Sequence, residues 1–426
     1  MRYEEMSRSA LEALQAELET TYKNDCAKGL SLDLSRGKPA ADQLDLSDAM
    51  LTELKVASDC QSQGGMDCRN YGDNYGLPEM RAFFSSLTGI PADMIIVGGN
   101  SSLNMMYDTL SRAMLFGLAD SVRPWCREDK IKFLCPAPGY DRHFAVTQTL
   151  GFELIPVAMT ESGPDMDEVE ALVAADSAIK GIWCVPKYSN PTGVTFSDET
   201  VRRLARMQCA APDFCIMWDN AYFVHEIYGE GDFLLDIFEE ARLAGNENRV
   251  LYFTSTSKIT YPGAGVAMMA ASEANLSKMK PLIAAQTIGP DKLNQLRHLS
   301  FLKDEDGVRN QMKRQAACIR PKFDLLLESL DEQLRETGVA SWSEPNGGYF
   351  VSLDLLDGCA KEVYRRAKEA GVTLTTAGAT FPYGIDPRDR NLRLAPTYPS
   401  LADLKSAVDI LITVIKLVSV EKILKR

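Results

Sequence analysis

The spacing of apolar and polar positions divides the chain into stretches with different hydrophobic patterns. Residues 3–28 carry leucines and a tyrosine at helical spacing, which predicts an amphipathic helix that ends at Gly29. A short helix is expected over 47–58. From about residue 70 to 290, apolar runs of strand length alternate with helical stretches. Because these runs are continuous rather than alternating, they predict strands buried on both faces of a mostly parallel sheet.

Seven apolar runs predict the strands of this sheet, and helical stretches at 103–117, 167–176, 198–210 and 273–285 lie between them. The runs are Ile95–Val97, Ile131–Cys135, Glu153–Val157, Gly181–Val185, Phe214–Trp218, Val250–Phe253 and Val266–Ala270.

The hydrophobic pattern changes again after about residue 300. A long helical stretch at 304–337 precedes two strand-like segments, 349–354 and 391–395, which bracket a helix at 360–370. A helix over 401–424 closes the chain. We therefore expect an α/β protein with a large domain over 47–300, built on a mostly parallel seven-stranded sheet. A smaller α+β domain would be formed by 1–46 and 301–426.

Charge and residue composition argue against several classes of partner and binding site. The 426 residues include 46 basic and 59 acidic side chains, a net charge of −13, which argues against nucleic acid or an anionic membrane as a partner. The ten cysteines form no C-x-x-C pair, and three histidines without ligand spacing make a metal site improbable. The first residues do not resemble a signal peptide, and no apolar run is long enough for a membrane helix. We expect a cytoplasmic protein.

Polar residues follow the predicted strands, where α/β proteins bind ligands. Each signal alone has an ordinary explanation, such as a helix cap, a salt bridge or a surface lysine. In chain order the segments are Gly98-Gly-Asn-Ser-Ser102, Pro136-Ala-Pro-Gly-Tyr140, Ser189-Asn-Pro-Thr-Gly193, Asp219-Asn-Ala-Tyr222 and Ser255-Thr-Ser-Lys258.

One ligand explains all five segments. A phosphate suits the hydroxyl-rich helix start, and a flat ring suits Tyr140. A ring nitrogen suits Asp219, a ring hydroxyl suits Asn190 and Tyr222, and an aldehyde suits the amine of Lys258. Pyridoxal 5′-phosphate has each of these groups.

With these motifs the chain resembles the class I aminotransferases, which are pyridoxal-phosphate enzymes of fold type I. The resemblance extends from about residue 30 to the C-terminus. Arg36-Gly-Lys-Pro39 and the arginine-free loop after Lys258 make it similar to the divergent aspartate aminotransferase subgroup Ic, which has been associated with MocR-type regulators. A true regulator of that type would carry a basic DNA-binding domain before the enzyme domain, and only about 30 residues precede Arg36, so we expect an enzyme.

The resemblance implies roles for individual residues. Lys258 would hold the cofactor as a Schiff base and move the proton at the substrate Cα, while Asp219 would keep the ring nitrogen protonated. Arg393 would bind the substrate α-carboxylate, close to Gly37. The remaining cofactor-binding residues would be Asn100, Ser101, Ser102, Tyr140, Asn190, Tyr222, Ser255 and Ser257, with Tyr71 reaching the phosphate in the neighbouring subunit of a homodimer.

One departure concerns the phosphate. Members of the family usually carry an arginine about eight residues after the lysine, whereas here the segment is Tyr261-Pro-Gly-Ala-Gly-Val266. The phosphate would then depend on hydroxyl groups, backbone donors or another cation.

The resemblance implies transamination from L-aspartate or L-glutamate to a 2-oxo acid, by a ping-pong reaction through pyridoxamine phosphate. A dicarboxylate needs a second cation, and Arg36 and Lys292, both expected in loops near the site, are favoured over Lys38, Lys187 and Arg297. Three alternatives remain: an aminotransferase for aromatic or other amino acids, a β-lyase or decarboxylase, and a cofactor-binding regulator. The acidic charge argues against the last.

Overall fold

A computed structural model describes residues 2–426 of the protein. Three sheets and the helices around them make up the fold. The strands are β1 (Leu32–Asp33), β2 (Ile95–Val97), β3 (Lys132–Ala137), β4 (Glu153–Thr160), β5 (Gly163–Pro164), β6 (Ile179–Cys184), β7 (Cys215–Asp219), β8 (Val250–Ser255), β9 (Ala267–Ala271), β10 (Ala340–Trp342), β11 (Val351–Leu355), β12 (Val372–Thr373) and β13 (Asn391–Leu394).

The helices alternate with the strands of the large sheet and then dominate the last third of the chain. They are α1 (Arg8–Ala27), α2 (Ala41–Asp45), α3 (Pro78–Thr88), α4 (Ser102–Phe116), α5 (Asp141–Thr149), α6 (Met166–Ala175), α7 (Asp198–Arg206), α8 (Ile237–Leu243), α9 (Glu273–Gln286), α10 (Lys292–Leu302), α11 (Glu305–Leu334), α12 (Ala360–Glu369) and α13 (Leu401–Leu424).

The large sheet has the order β2-β9-β8-β7-β6-β3-β4-β5. Strands β8, β7, β6, β3 and β4 pair in parallel, whereas β9 runs antiparallel to both of its neighbours. The seven predicted strands are all present, which confirms the mostly parallel α/β architecture. The eighth strand, β5, adds two residues antiparallel to β4 at one edge. It is too short to produce a hydrophobic pattern, so the sequence did not predict it.

Both faces of this sheet are covered. In β7, Ile216 and Trp218 point into one apolar core and Met217 into another, because successive side chains of a strand point to opposite faces. This two-sided burial explains the continuous apolar runs in the sequence. The carboxyl ends of β6, β7 and β8 therefore meet at one edge of a covered sheet, where the loops that follow them lie together.

A third apolar core lies among α1, α11, α12, α13 and the antiparallel sheet β10-β11-β13. Helix α11 contributes to two of these three cores, since Val308 and Met312 pack in one core of the large sheet whereas Phe323 and Leu330 pack in the third core. The domain limits expected at 46/47 and 300/301 remain a prediction.

The prediction of one short helix over 47–58 is wrong. Two short 3-10 helices, Asp48–Thr52 and Ala57–Cys60, take its place. Leu51 and Val56 are exposed there, so the segment has no continuous apolar face that would hold a longer helix against the core.

Candidate active site

A cavity of about 380 Å³ opens where the loops after the parallel strands meet the small antiparallel sheet. All but three of the residues singled out in the sequence line it. They are Arg36, Gly37, Ser101, Ser102, Tyr140, Asn190, Asp219, Tyr222, Ser255, Ser257, Lys258 and Arg393.

Lys258 follows β8 and extends its amine into this cavity. Its Nζ lies 5.0 Å from the ring centroid of Tyr222 and 5.6 Å from that of Tyr349. Within residues 2–426 no carboxylate forms an ion pair with it. Burial lowers the pKa of Lys258, and the carboxylate of Asp219 only partly opposes this effect. The amine therefore reaches its neutral, nucleophilic form at a lower pH than an exposed lysine.

Asp219 ends β7 and is almost fully buried. Its Oδ2 lies 2.9 Å from His143 Nε2. Since a carboxylate can only accept, this ring nitrogen donates. His143 stacks on Trp183 with ring centroids 4.2 Å apart, which holds the imidazole in place. The other carboxylate oxygen, Oδ1, is buried and has no partner among the described residues. A buried carboxylate oxygen without a donor is costly, so the site fits a ligand with an N–H at this point.

Tyrosine rings form the cavity wall around these groups. Burial raises the pKa of the Tyr222 hydroxyl well above its usual value, and it raises that of Tyr140 to about 12. Both hydroxyls therefore stay protonated at neutral pH and can donate. Tyr140 meets the imidazole of His143 edge-on, with centroids 4.9 Å apart.

Arg393 on β13 brings a buried guanidinium to the opposite side. Its Nη1 donates to Asp141 Oδ1 at 2.9 Å and to Asn190 Oδ1 at 3.2 Å, and its Nη2 donates to Thr375 Oγ1 at 3.3 Å. Nε is buried without a partner in the described chain. The guanidinium carbon lies 4.9 Å from the ring centroid of Phe350. This arrangement leaves donor capacity for a carboxylate ligand.

Gly37 lies beside the same aromatic ring. A Cβ at this position would come within 2.1 Å of Phe350 Cζ, so only glycine lets the backbone run this close to the cavity. Arg36, the preceding residue, lines the cavity and forms an ion pair with Asp33 at 3.2 Å.

Serine hydroxyls gather where α4 begins. Ser255 donates to Ser257 at 2.9 Å, and Ser101 caps the helix by accepting from Asn104 N at 3.4 Å. The expected arginine is absent here. Gly265 instead lies against Ser257, and a Cβ on it would be 3.2 Å from the serine Oγ. A longer side chain at position 265 would displace that hydroxyl. The cluster fits a phosphate that is bound by hydroxyls and by the N-terminus of α4.

Three of the singled-out residues lie outside the cavity. Asn100 donates its amide to the carbonyl of Gly263 at 3.2 Å, and Tyr71 is 77% exposed. Lys292 was expected in a loop near the site, and this placement is wrong. It begins helix α10, is buried, and donates to the carbonyl of Gly72 at 2.9 Å. Asp291 caps this helix by accepting from Asn294 N at 3.0 Å, which places Lys292 in a helix rather than in a loop.

A buried network supports the lysine loop from behind. His298 Nδ1 lies 2.8 Å from the carbonyl of Asn294, so it donates, and Nε2 lies 3.0 Å from Thr256 Oγ1 and 2.8 Å from Thr260 Oγ1. Burial lowers the pKa of His298 to about 4, which keeps the ring neutral and leaves Nε2 as an acceptor beside the two threonine hydroxyls. The amide of Asn294 donates to the carbonyls of Ala264 and Gly265, each at 2.9 Å. Helix α10 thus holds both ends of the loop that carries Lys258.

Several residues at this site were not predicted from the sequence. Asp141, Arg142 and His143 follow Tyr140 directly, and their position after a strand was the available signal. Tyr349 and Phe350 come from a distant segment and gave no signal. His225 is also buried against Tyr222, with both ring nitrogens unpartnered in the described part of the chain. Burial lowers its pKa to about 3.

Residues 2–426 contain no helix with the length and apolarity needed to cross a membrane. They also contain no group of three or more His, Cys, Asp or Glu side chains arranged to hold a metal ion.

Comparison with known proteins places the chain among aminotransferases. The family described as aspartate amino-transferase matches residues 6–426. An aspartate aminotransferase of Corynebacterium glutamicum is 44% identical over 428 residues, covering 99% of each chain. The crystal structure of an aspartate transaminase from that species matches with a TM-score of 0.96 and 43% identity, again over 99% of each chain. An α-aminoadipate aminotransferase of Thermus thermophilus, at 23% identity and a TM-score of 0.74 over 93% of this chain and 95% of that one, shares the fold.

Proposed function

The chain belongs to the aspartate amino-transferase family, and from this premise we propose a pyridoxal-phosphate-dependent transfer of an amino group from L-aspartate or L-glutamate to a 2-oxo acid. The observation that carries the proposal is a single cavity that contains the amine of Lys258, the unpartnered Oδ1 of Asp219 and the guanidinium of Arg393. These groups suit an aldehyde, a ring N–H and a substrate carboxylate.

Aminotransferases of this fold use pyridoxal phosphate. When bound, this cofactor supplies an aldehyde for the amino group and a ring that accepts electrons from the substrate Cα. Asp219 would accept the ring N–H through Oδ1, while His143 holds Oδ2 and keeps the carboxylate oriented. Tyr222 and Asn190 would donate to the ring oxygen, and Tyr140 would pack against the ring. The phosphate would lie among Ser101, Ser102, Ser255 and Ser257, with Asn100 shaping the loop behind them.

Lys258 would serve as the base that moves the proton at the substrate Cα. Its lowered pKa favours the neutral amine, which can accept that proton. The tyrosine faces beneath Nζ limit where the amine can point and exclude water from one side. A base held in this way contributes about 10²–10⁴-fold to the rate.

Arg393 would bind the substrate α-carboxylate. Asp141, Asn190 and Thr375 hold its guanidinium, and Gly37 leaves room for a ligand beside Phe350. A guanidinium with a fixed plane makes two parallel hydrogen bonds to a carboxylate, which also orients the Cα–H bond towards Lys258.

The working enzyme would be a cytoplasmic homodimer with shared active sites. Tyr71 supports this proposal because its ring is exposed and does not line the cavity of its own chain. Tyr71 would reach the cofactor phosphate in the partner subunit. Lys292 donates a hydrogen bond to the carbonyl of the adjacent Gly72.

A half-reaction tests the proposed function. Purified protein loaded with pyridoxal phosphate is mixed with L-aspartate alone and followed by visible absorbance. The cofactor band should shift, and 2-oxoglutarate should restore it. Release of pyruvate or CO₂ without restoration would instead indicate a lyase or a decarboxylase. Lys258→Ala should bind the cofactor only non-covalently, and covalent cofactor in that variant would refute the role of Lys258.

A further inference from the structure

Four cationic side chains line the cavity: Arg36, Arg142, Lys258 and Arg393. Two of the three guanidiniums are already engaged, Arg36 with Asp33 at 3.2 Å and Arg393 with Asp141 at 2.9 Å. Arg142 differs from both. In the part of the chain that the structure describes, its side chain forms neither an ion pair nor a hydrogen bond, and it is exposed at the cavity mouth.

The position of Arg142 places its charge next to the carboxylate-binding groups. It is the second residue of α5, directly after the Asp141 that holds Arg393. Its charge also reaches the Tyr140 hydroxyl. Burial and the carboxylates of Asp219 and Asp141 raise the pKa of that tyrosine, whereas Arg393 and Arg142 oppose the rise. Arg142 therefore lies on the same side of the cavity as the proposed α-carboxylate site.

A dicarboxylic substrate brings two anionic groups into this cavity, and Arg393 accounts for one. The second carboxylate is best bound by a side chain that has no ion pair to break. Breaking an existing ion pair would cost part of the binding free energy gained from the ligand. Arg142 meets this condition. Lys292 donates to the carbonyl of Gly72 and does not line the cavity, and Arg36 would have to share its charge with Asp33.

We propose that Arg142 binds the side-chain carboxylate of the dicarboxylic substrate and so determines the preference for aspartate and glutamate. This assignment rests on the proposed aminotransferase function. Guanidinium and carboxylate form two parallel hydrogen bonds, and the mouth of the cavity leaves Arg142 free to turn towards a ligand held at Arg393.

The test compares Arg142→Gln, Arg142→Lys and a control variant, Arg127→Gln, which removes an exposed and unpaired arginine away from the cavity. In holoenzyme, Arg142→Gln should lower kcat/KM for L-aspartate by about 10- to 100-fold, the value of a hydrogen-bonded charge pair, mainly through a higher KM. The kcat/KM for L-alanine should change little. Arg142→Lys should recover part of the loss, and the control should behave as wild type.

Binding to the holoenzyme provides a second measurement. By calorimetry, succinate should bind the Arg142→Gln variant more weakly than wild type, whereas propionate should bind both alike. Equal losses for aspartate and alanine, or an unchanged preference for dicarboxylates, would overturn the assignment. A loss of the preference in Arg36→Gln alone would overturn it too, in favour of that residue.

The two proposals fail in different ways. If wild type transfers the amino group of neither aspartate nor glutamate, the proposed function fails, and succinate binding still tests Arg142. If wild type does transfer it while both Arg142 variants keep the dicarboxylate preference, only the Arg142 assignment fails, and the second cation would come from Arg36 or from the partner subunit.

Discussion

Lys258 illustrates how burial alone prepares a side chain for chemistry. The amine lies over two tyrosine faces, and desolvation disfavours its charged form. Because the unfolded chain would bind this proton more tightly, the free energy of unfolding rises with pH between the lowered native pKa and the ordinary value of 10.5. Folding therefore shifts the equilibrium of this lysine towards its neutral, reactive form relative to the unfolded chain.

The lowered pKa leads to a measurable difference in labelling. In cofactor-free protein, Lys258 should react with acetic anhydride with a pH midpoint below 10.5, the ordinary pKa of a lysine side chain. Only the neutral amine reacts, so the midpoint follows the pKa. Peptide mass spectrometry after competitive labelling measures this site, with a short lysine peptide added to the same sample as the reference. A midpoint for Lys258 at or above that of the reference peptide would contradict the assigned effect of burial.

Asp219 shows why a site residue needs support. His143 occupies one carboxylate oxygen and leaves the other free, and Trp183 fixes the imidazole. A buried carboxylate with one oxygen held and the other open has a single direction in which to accept a hydrogen bond. The chemistry of the residue therefore depends on two neighbours that lie on other segments of the chain.

At the scale of elements, α10 holds the loop that follows β8. Asn294 donates to two carbonyls of the loop, and His298 Nε2 lies within hydrogen-bond distance of two of its threonine hydroxyls. The loop itself contains no arginine between Lys258 and Val266, so none of its own side chains can form an ion pair with a phosphate. Hydrogen bonds from α10 instead hold the backbone that carries Ser257 and Lys258.

Asn294→Ala should loosen this loop. The carbonyls of Ala264 and Gly265 would lose their side-chain donor, which costs about 1–3 kcal/mol of the free energy of unfolding. Hydrogen exchange should become faster across 256–266, as measured by mass spectrometry, and the protein should retain cofactor less well. Ser300→Ala on the exposed face of the same helix is the control and should change neither property. Unchanged exchange in Asn294→Ala would show that the loop holds its shape without α10.

At the scale of the molecule, a net charge of −13 coexists with a cavity lined by three arginines and a lysine. The positive groups are concentrated where anionic substrates would bind, while acidic groups predominate elsewhere. Overall charge therefore does not describe the site, because only local charge acts at contact distance.

The proposed homodimer predicts complementation between two inactive variants. Tyr71→Ala and Lys258→Ala should each be nearly inactive alone. Mixed dimers would contain one site with both defects and one site with none, so a statistical mixture should recover about one quarter of wild-type activity. Co-expression with two affinity tags isolates the mixed dimer for assay. Absence of recovery in a purified mixed dimer, or a monomer in analytical ultracentrifugation, would contradict shared active sites.

The sequence by itself determined the architecture and most of the residues that line the cavity. Its apolar runs defined the seven main strands, because strands buried on two faces leave an unmistakable pattern. The carboxyl ends of parallel strands meet at one edge of a sheet. The order of the loops was therefore enough to predict that Asn190, Asp219 and Lys258 lie close together, and all three line the cavity. The roles of these residues remain proposals that the experiments above test.

Only the tertiary structure decided which side chains pair. Asp141 and Arg393 are 252 residues apart in the chain, and His143 and Asp219 are 76 apart. Hydrogen bonds between such distant segments depend on how the apolar cores pack against one another, and a local sequence pattern carries no information about that packing. The same packing pairs Arg36 with Asp33, buries Lys292 away from the cavity and leaves Arg142 unpaired at the cavity mouth. The sequence alone therefore could not show which cation is available to a second carboxylate.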